Sequence, residues 1–340
     1  MDRSAGGSST SRRRPSRRSR RSGRASPGSG SPGETGLGLG AVRELARRHG
    51  IRPRRSLGQH FLADPNLARA IVAEAGVGPG DRVVEVGAGL GSLTVALASA
   101  GAEVLAVELD RRLLPALREV VAPYPGVRVL EADALRLDWA RELRDGGGWR
   151  MVSNLPYNVA VPVLLGMLER APVVDYLVMV QREVGERLAA RPGEEGYGAV
   201  SLRVAYRADV EVLRRVPPDV FWPRPAVESV LVRLTPRPPA VAVEPGPLFR
   251  VVDVAFAERR KTMRNALRRL GLPAALADEV LGRVGIPARA RPEEVGLEGF
   301  ARLTEELLAR GALGGEASTR ARRAATDRSA SGGAVARGER

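Results

Sequence analysis

The sequence contains no cysteine, only 2 histidines and 4% aromatic residues. The lack of cysteine excludes disulfides, thiolate metal sites and cysteine nucleophiles, and we expect no metal at the functional site. No apolar run reaches the roughly 20 residues that a transmembrane helix needs. The first segment also lacks the apolar stretch of a secretory signal. We therefore expect a cytoplasmic protein that does not span a membrane.

Positive charge is what the chain has in excess. It contains 54 Lys+Arg against 39 Asp+Glu, which gives a formal net charge of +15. A balance this basic indicates a polyanionic partner, either a nucleic acid or an anionic membrane surface. Solubility alone is an alternative explanation of the charge.

Two terminal segments are of low complexity. Residues 1–38 are rich in Ser, Gly, Arg and Pro, and residues 316–340 form a similar, shorter tail. Such segments cannot bury enough apolar surface to offset the entropy of ordering, so we expect both to be disordered. The basic arm fits either loose, salt-sensitive phosphate binding or a passive solubilising tail, and the sequence does not separate the two.

Between these tails, strands alternate with helices. Strands are predicted over 81–86, 103–108, 127–131, 150–153 and 176–181, and helices over 41–49, 66–75, 93–100, 111–121 and 161–169. This alternation predicts an α/β fold, a doubly wound Rossmann-like sheet that is parallel and carries helices on both faces.

The pattern changes after Val200. Later strands are predicted over 201–207, 210–216 and 229–236, and helices over 248–270, 273–284 and 297–309. The run Arg237-Pro238-Pro239 has the composition of a linker. We therefore expect a main domain over 39–237 and a small all-α C-terminal domain over 240–315.

A glycine-rich turn follows the first strand of the α/β pattern. Gly87, Gly89 and Gly91 lie between that strand and the next helix, and glycine lets the backbone take positive φ and approach a ligand closely. Alone, such a turn serves a nicotinamide dinucleotide, a flavin or S-adenosylmethionine. The spacing departs from the dinucleotide fingerprint, and Glu85 before the turn would repel a pyrophosphate.

Acidic residues follow the next two strands. Glu108 ends one strand, where a carboxylate accepts hydrogen bonds from two ribose hydroxyls, and Asp133 follows the other, placed to bond an adenine amine. Open α/β sheets bind ligands at this carboxyl edge. Acids are also compatible with the cationic sulfonium of S-adenosylmethionine. Each acid alone could instead cap a helix or lie in a solvated turn.

The loop after the fourth strand reads Asn154-Leu155-Pro156-Tyr157. An adenine exocyclic amine is a poor nucleophile because its lone pair is delocalised into the ring. Two acceptors that bond the amine hydrogens draw the lone pair toward the attacking geometry, and the Asn154 side-chain oxygen and the Leu155 carbonyl can serve. Pro156 stiffens the loop, and Tyr157 can stack on a flipped base. A turn with a core-facing tyrosine is the alternative.

With these motifs the chain resembles the ribosomal RNA adenine dimethyltransferases. The resemblance covers about residues 52–310 and includes Leu57-Gly58-Gln59-His60-Phe61-Leu62, 197–201 and 216–225. It implies S-adenosylmethionine as cofactor, held by His60, Leu62, Gly87, Glu108, Asp133 and Asn154. It further implies a catalytic set of Asn154, Leu155, Pro156, Tyr157 and Phe221, with Phe221 as a second aromatic wall opposite Tyr157.

One position departs from the family pattern. His60 stands where the family usually has Asn. A histidine can still form a hydrogen bond through one ring nitrogen, so cofactor binding is expected to survive. Its protonation could weaken the binding of a cationic cofactor at low pH.

The family has two relevant subgroups. One dimethylates two adjacent adenines in a hairpin loop near the 3′ end of small-subunit (16S) ribosomal RNA during subunit biogenesis. The other modifies large-subunit (23S) ribosomal RNA and confers macrolide resistance. The Asn-Leu-Pro-Tyr form of the 154–157 loop and the stretch 255–267 resemble the first subgroup. The expected partner is therefore ribosomal RNA in the small subunit or its precursor, bound by a monomer.

A basic run lies within the stretch 255–267. Arg259, Arg260, Lys261 and Arg264 are expected along one helix, where they would form a phosphate-contacting surface. A solvated helix face is the alternative.

Two other classes of protein stay open at this point. A dehydrogenase on a dinucleotide fold needs a hydride-transfer partner near a His or Lys, and His49 and His60 are the only histidines. A non-catalytic RNA-binding or assembly factor would not need the intact 154–157 loop.

Overall fold

The computed structural model describes residues 36–144, 148–258 and 260–313, which belong to one compact unit. The expectations for the basic arm before residue 36 and for the tail over 316–340 fall outside these ranges. Within them, no helix is both long and apolar enough to cross a membrane.

The strands are β1 Phe61–Leu62, β2 Arg82–Val86, β3 Glu103–Glu108, β4 Val127–Glu131, β5 Trp149–Asn154, β6 Val173–Gln181, β7 Ala208–Val216, β8 Phe221–Trp222 and β9 Ser229–Pro236. The helices are α1 Leu39–Arg48, α2 Pro65–Ala75, α3 Ser92–Ser99, α4 Leu114–Val121, α5 Trp139–Glu142, α6 Ala160–Arg170, α7 Arg182–Ala189, α8 Ala199–Arg207, α9 Pro245–Phe256, α10 Met263–Arg269, α11 Ala274–Arg283 and α12 Leu297–Ala309.

The main sheet has the strand order β4-β3-β2-β5-β6-β9-β7. Its first five strands are parallel, whereas β9 runs antiparallel to both of its neighbours. The chain leaves β2 toward β3 and β4, then returns to β5 on the other side of β2. The loops after β2 and β5 therefore diverge and open a crevice at the carboxyl ends of these strands.

Alternate residues of the strands belong to two different apolar clusters. Val83 and Ala106 pack with α2, α3 and α4, whereas Val84 and Val107 pack with α5 and α6. All four are at most 1% exposed. Because helices cover both faces of the sheet, the central strands read as continuous apolar runs. The prediction of a doubly wound α/β sheet with a helical C-terminal part is confirmed.

The prediction of a strand over 201–207 is wrong, because this segment is α8. Its apolar residues alternate, which favours a strand by pattern. In the structure, Leu202 and Tyr206 face the C-terminal helices, while Val204 faces the sheet. The helix is buried on two sides, so its apolar residues follow a period of two even though its backbone is helical.

The predicted single helix over 248–270 is also wrong. Helix α9 ends at Phe256 and α10 begins at Met263. The first amides of α10 bond elsewhere: the Met263 N–H donates to the Ala290 carbonyl at 2.8 Å. Arg260 and Lys261 consequently lie in the connection between two helices rather than on a shared helix with Arg264.

The four C-terminal helices share a core with α8. Tyr206 donates its hydroxyl to the Val243 carbonyl at 3.0 Å, and Tyr197 donates to the Val295 carbonyl at 2.9 Å. These bonds fasten α8 and the segment before it to the segments that precede α9 and α12. The division into domains over 39–237 and 240–315 stays a prediction.

Candidate active site

A cavity lies at the carboxyl ends of β2, β3 and β5 and offers about 1050 Å³ of space, counting its open mouth. Nine of the ten residues predicted for the site line it: His60, Leu62, Gly87, Glu108, Asp133, Asn154, Leu155, Pro156 and Tyr157. The structure thus brings together segments that are separated along the chain.

Phe221 is the predicted residue that the structure does not bring to the cavity. It is 3% exposed and lies in β8, paired with Leu62 of β1. Its ring is part of the core cluster beneath α2 and α3. A role as the aromatic wall opposite Tyr157 would require Phe221 to leave this packing.

The glycine turn contacts the loop that follows β5. Gly87 has φ +78°, and a Cβ at this position would lie 2.8 Å from Cδ of Pro156. That distance is shorter than any normal contact, so only glycine allows the two loops to approach this closely. The floor of the cavity is therefore formed by both loops together.

Glu108 is held by the backbone around it. One carboxylate oxygen accepts a hydrogen bond from the Gly89 N–H at 2.8 Å, and the other accepts from the Asp110 N–H at 2.8 Å. Burial nevertheless raises the pKa of Glu108, which outweighs these bonds. Since each oxygen has a second lone pair, the carboxylate can also accept bonds from ribose hydroxyls. The glycine cradle and this acid thus fit an adenosyl cofactor.

Asp133 closes the same side of the cavity. It accepts a hydrogen bond from the Leu135 N–H at 3.0 Å, and Arg136 is 3.6 Å away. The carboxylate is partly exposed, which leaves acceptor capacity for an adenine amine. The role predicted for it is compatible with this position.

Sequence reasoning missed a second acid beside Glu108. Asp110 accepts a hydrogen bond from the Gln59 amide at 2.8 Å, and both residues line the cavity. The Arg112 guanidinium, helped by Gln59, lowers the pKa of Asp110 to about 2. The bond ties the segment over 57–62 to the end of β3, so this segment forms one wall of the cavity. Gln59 lies inside the Leu57–Leu62 motif, so a search for its hydrogen-bonding partner could have pointed to Asp110.

The 154–157 loop is held by one side-chain hydrogen bond and one backbone hydrogen bond. The Asn154 Nδ2 donates to the His60 carbonyl at 3.1 Å. This bond uses the nitrogen of the side-chain amide and not its oxygen, Oδ1. The Leu155 N–H donates to the Met179 carbonyl at 3.1 Å. Asn154 is therefore oriented before any ligand binds.

Tyr157 is held at its ring and at its hydroxyl. Its ring stacks on the His60 imidazole with centroids 5.2 Å apart, and its hydroxyl lies 2.7 Å from Ser229 Oγ. The His60 Nδ1 lies 2.7 Å from the Pro223 carbonyl. A carbonyl can only accept, so Nδ1 carries the proton and Nε2 is the acceptor in the neutral ring.

Glu85 lies buried under the glycine turn. It is 1% exposed and accepts a hydrogen bond from Thr94 Oγ1 at 2.6 Å. Burial, opposed in part by Thr94, raises the pKa of Glu85 to about 8. The carboxyl group is therefore largely protonated at neutral pH when no cation lies nearby.

This burial predicts a pH-dependent stability that Glu85→Gln removes. The pKa of Glu85 rises from 4.5 in the unfolded chain to about 8 in the folded protein, so the folded protein keeps its proton at pH values where the unfolded chain loses it. The contribution of Glu85 to stability is therefore complete below pH 4.5 and is lost as pH rises through about 8. In the absence of cofactor, the wild-type free energy of unfolding should fall relative to Glu85→Gln by roughly 1.4 kcal/mol per pH unit in this window. Urea unfolding at about pH 5 and about pH 9 measures it. Equal pH dependence of both proteins would contradict the burial argument.

The doubly wound sheet, the glycine cradle and the buried Glu108 at the end of β3 are features of an S-adenosylmethionine-dependent methyltransferase. The sequence also matches the family model described as ribosomal RNA adenine dimethylase over residues 50–306. The chain belongs to this family and is a ribosomal RNA adenine dimethyltransferase. This membership excludes a dehydrogenase.

Curated relatives match over most of their length. A Thermobifida fusca protein named ribosomal RNA small subunit methyltransferase A is 49% identical over 271 residues, which is 78% of this chain and 93% of the relative. A Moorella thermoacetica protein of the same name is 44% identical over 279 residues, covering 79% of this chain and 97% of the relative. The identity thus extends into the helical C-terminal part.

Solved structures show the same fold. A dimethyladenosine transferase from Plasmodium falciparum has a TM-score of 0.64 at 22% identity, covering 74% of this chain and 98% of its own. The 23S rRNA methyltransferase ErmE has a TM-score of 0.55 at 25% identity, covering 73% of this chain and 99% of its own.

Proposed function

We propose that this enzyme dimethylates the N6 amines of two adjacent adenines in the hairpin loop near the 3′ end of small-subunit (16S) ribosomal RNA, in small-subunit biogenesis. The observation that carries the proposal is the 49% identity over 93% of a relative named for the small subunit. The solved large-subunit enzyme is 25% identical. Specificity for one RNA depends on the whole binding surface, so identity over 78% of this chain and 93% of the relative supports the small subunit.

The residues around the cavity have separate roles in this proposal. Gly87, Glu108 and Asp133 hold the adenosyl part of the cofactor, while His60 and Leu62 lie against its methionine part. When bound, S-adenosylmethionine supplies a methyl group activated by its positive sulfur.

The target amine is held by the 154–157 loop. Asn154 Oδ1 and the Leu155 carbonyl accept its two hydrogens, and Tyr157 stacks on the flipped base. The Nδ2 bond to the His60 carbonyl supports this assignment, because it orients Oδ1 in advance. Transfer to a neutral amine needs positioning more than acid–base chemistry. The amine proton leaves to solvent after transfer.

The connection between α9 and α10 contributes to the RNA surface. Arg260 and Lys261 are exposed there, and the exposed Arg264 follows in the first turn of α10, where it pairs with Asp278. Exposed cations of this kind contact phosphates without reading sequence. Arg259 belongs to the same proposal but lies outside the described residues. Action as a cytoplasmic monomer without membrane contact also remains part of the proposal.

Methylation of competing RNAs tests the choice of substrate. Labelled S-adenosylmethionine should transfer methyl groups to immature small subunits and not to protein-free large-subunit RNA, because only the small subunit presents the cognate loop and the surface around it. Scintillation counting of the separated RNAs gives the ratio. Transfer to large-subunit RNA alone would refute the substrate and support a 23S enzyme instead.

A further inference from the structure

Ser229 is a buried hydroxyl that contacts the aromatic wall of the active site. It is 0% exposed, and its Oγ lies 2.7 Å from the Tyr157 hydroxyl. It is the first residue of β9 and pairs in register with Gln181 of β6 and Val216 of β7. Since two neighbouring strands fix its backbone, Ser229 is a rigid anchor point.

Tyr157 is also constrained at its other parts. The His60 ring stacks on one face of the tyrosine ring with an interplanar angle of 29°, and His60 is itself tied to the Pro223 carbonyl. A Cβ at Gly58 would lie 3.0 Å from the Tyr157 nitrogen, so the 57–62 segment closely abuts the tyrosine backbone. A base can consequently stack only on the face of Tyr157 that His60 leaves open.

We infer that Ser229 is a positioning residue for base recognition: through the Tyr157 hydroxyl it holds the ring at the angle at which the target adenine stacks. The inference rests on the proposed role of Tyr157 as the stacking wall. Burial raises the pKa of Tyr157, so its hydroxyl stays protonated and acts as a hydrogen-bonding partner rather than as a base. Ser229 itself does not line the cavity and acts through the tyrosine.

The energetic reason is the cost of ordering a side chain. Without a partner for its hydroxyl, the tyrosine ring regains torsional freedom, and the RNA must reorder it on binding. Cofactor binding does not need the ring to be held at this angle. Removing the hydrogen bond should therefore raise the KM for RNA and leave the affinity for S-adenosylmethionine unchanged.

A double-mutant cycle tests the inference. Ser229→Ala and Tyr157→Phe each remove one side of the hydrogen bond while keeping the ring. Each should raise the KM for immature small subunits by roughly 3- to 10-fold, and the double variant should be no worse than Tyr157→Phe alone. The dissociation constant for S-adenosylmethionine, measured calorimetrically, should stay within about 2-fold of wild type.

A matched control is present in the same chain. Ser99 Oγ donates to the Tyr124 hydroxyl at 3.0 Å, which is the same chemical pair at the end of α3 farthest from the glycine turn. Ser99→Ala should leave the KM for small subunits unchanged. Urea unfolding of all variants shows whether any change in KM follows from lost stability.

The outcomes separate the inference from the function on which it rests. Additive effects of Ser229→Ala and Tyr157→Phe, or lower stability of Ser229→Ala with an unchanged KM, would make Ser229 a structural residue and overturn the inference alone. Full activity of Tyr157→Ala would instead refute the stacking wall and the inference with it.

Discussion

Replacing Asn154 by alanine should lower the rate of methyl transfer at saturating substrates by on the order of 100- to 1000-fold, the loss expected when one preorganised hydrogen bond to the reacting group is removed. Nδ2 is bound to the His60 carbonyl at 3.1 Å, and in the proposed mechanism this bond orients Oδ1 for the target amine. Alanine removes both the acceptor and this bond. Single-turnover transfer of labelled methyl groups to immature small subunits measures the effect.

The same substitution at a remote asparagine provides the control. Asn66 is exposed on α2 and bonds Arg69 of the same helix, so Asn66→Ala should transfer methyl groups at the wild-type rate. Calorimetry with S-adenosylmethionine separates lost cofactor binding from lost chemistry. If Asn154→Ala keeps its full rate at saturation, the amine is not activated by this side chain, and the mechanism is wrong.

Gly87→Ala should weaken cofactor binding by on the order of 100-fold, because forcing an extra methyl group into a closely packed contact costs roughly 1 to 3 kcal/mol and each 1.4 kcal/mol is about tenfold in affinity. The backbone at Gly87 has φ +78°, and the new Cβ would lie 2.8 Å from Cδ of Pro156. The glycine turn and the 154–157 loop cannot both keep their places. The free energy of unfolding should also fall, by roughly 2 to 4 kcal/mol.

Gly80→Ala isolates the steric part of this effect. Gly80 has φ +86°, but a Cβ added there would have no other atom within 4 Å, so alanine meets only backbone strain of roughly 1 to 2 kcal/mol. Its cofactor affinity should equal that of the wild type in calorimetric titration. Equal affinities for Gly87→Ala and wild type would show that close approach of the two loops is not needed.

Local signals explain why most of the cavity could be predicted from sequence. A strand that runs into glycines and then a helix defines the turn at Gly87 without knowledge of any distant residue. Glu108 and Asn154 stand at the ends of apolar strands, and parallel strands bring their carboxyl ends to one edge. These residues line one cavity because the strands that carry them are parallel neighbours in one sheet. The alternation of strands and helices in the sequence already predicted such a parallel sheet.

Phe221 and the basic residues Arg260 and Lys261 show where such reasoning fails. A motif predicts which residue types are present, but not which way a side chain turns. Phe221 is placed in the core by the pairing of β8 with β1. Arg260 and Lys261 lie off the helices because the first amides of α10 bond the 288–290 segment.

The sequence by itself determined the α/β class, the glycine-rich turn and the position of the 154–157 loop after β5, because each depends on residues within one strand–turn–helix unit. The tertiary structure decided that residues 201–207 are a helix buried on two faces. It alone placed Ser229 against Tyr157, a pair separated by 72 positions. Contacts of this range arise from strand order and register, which no local pattern encodes.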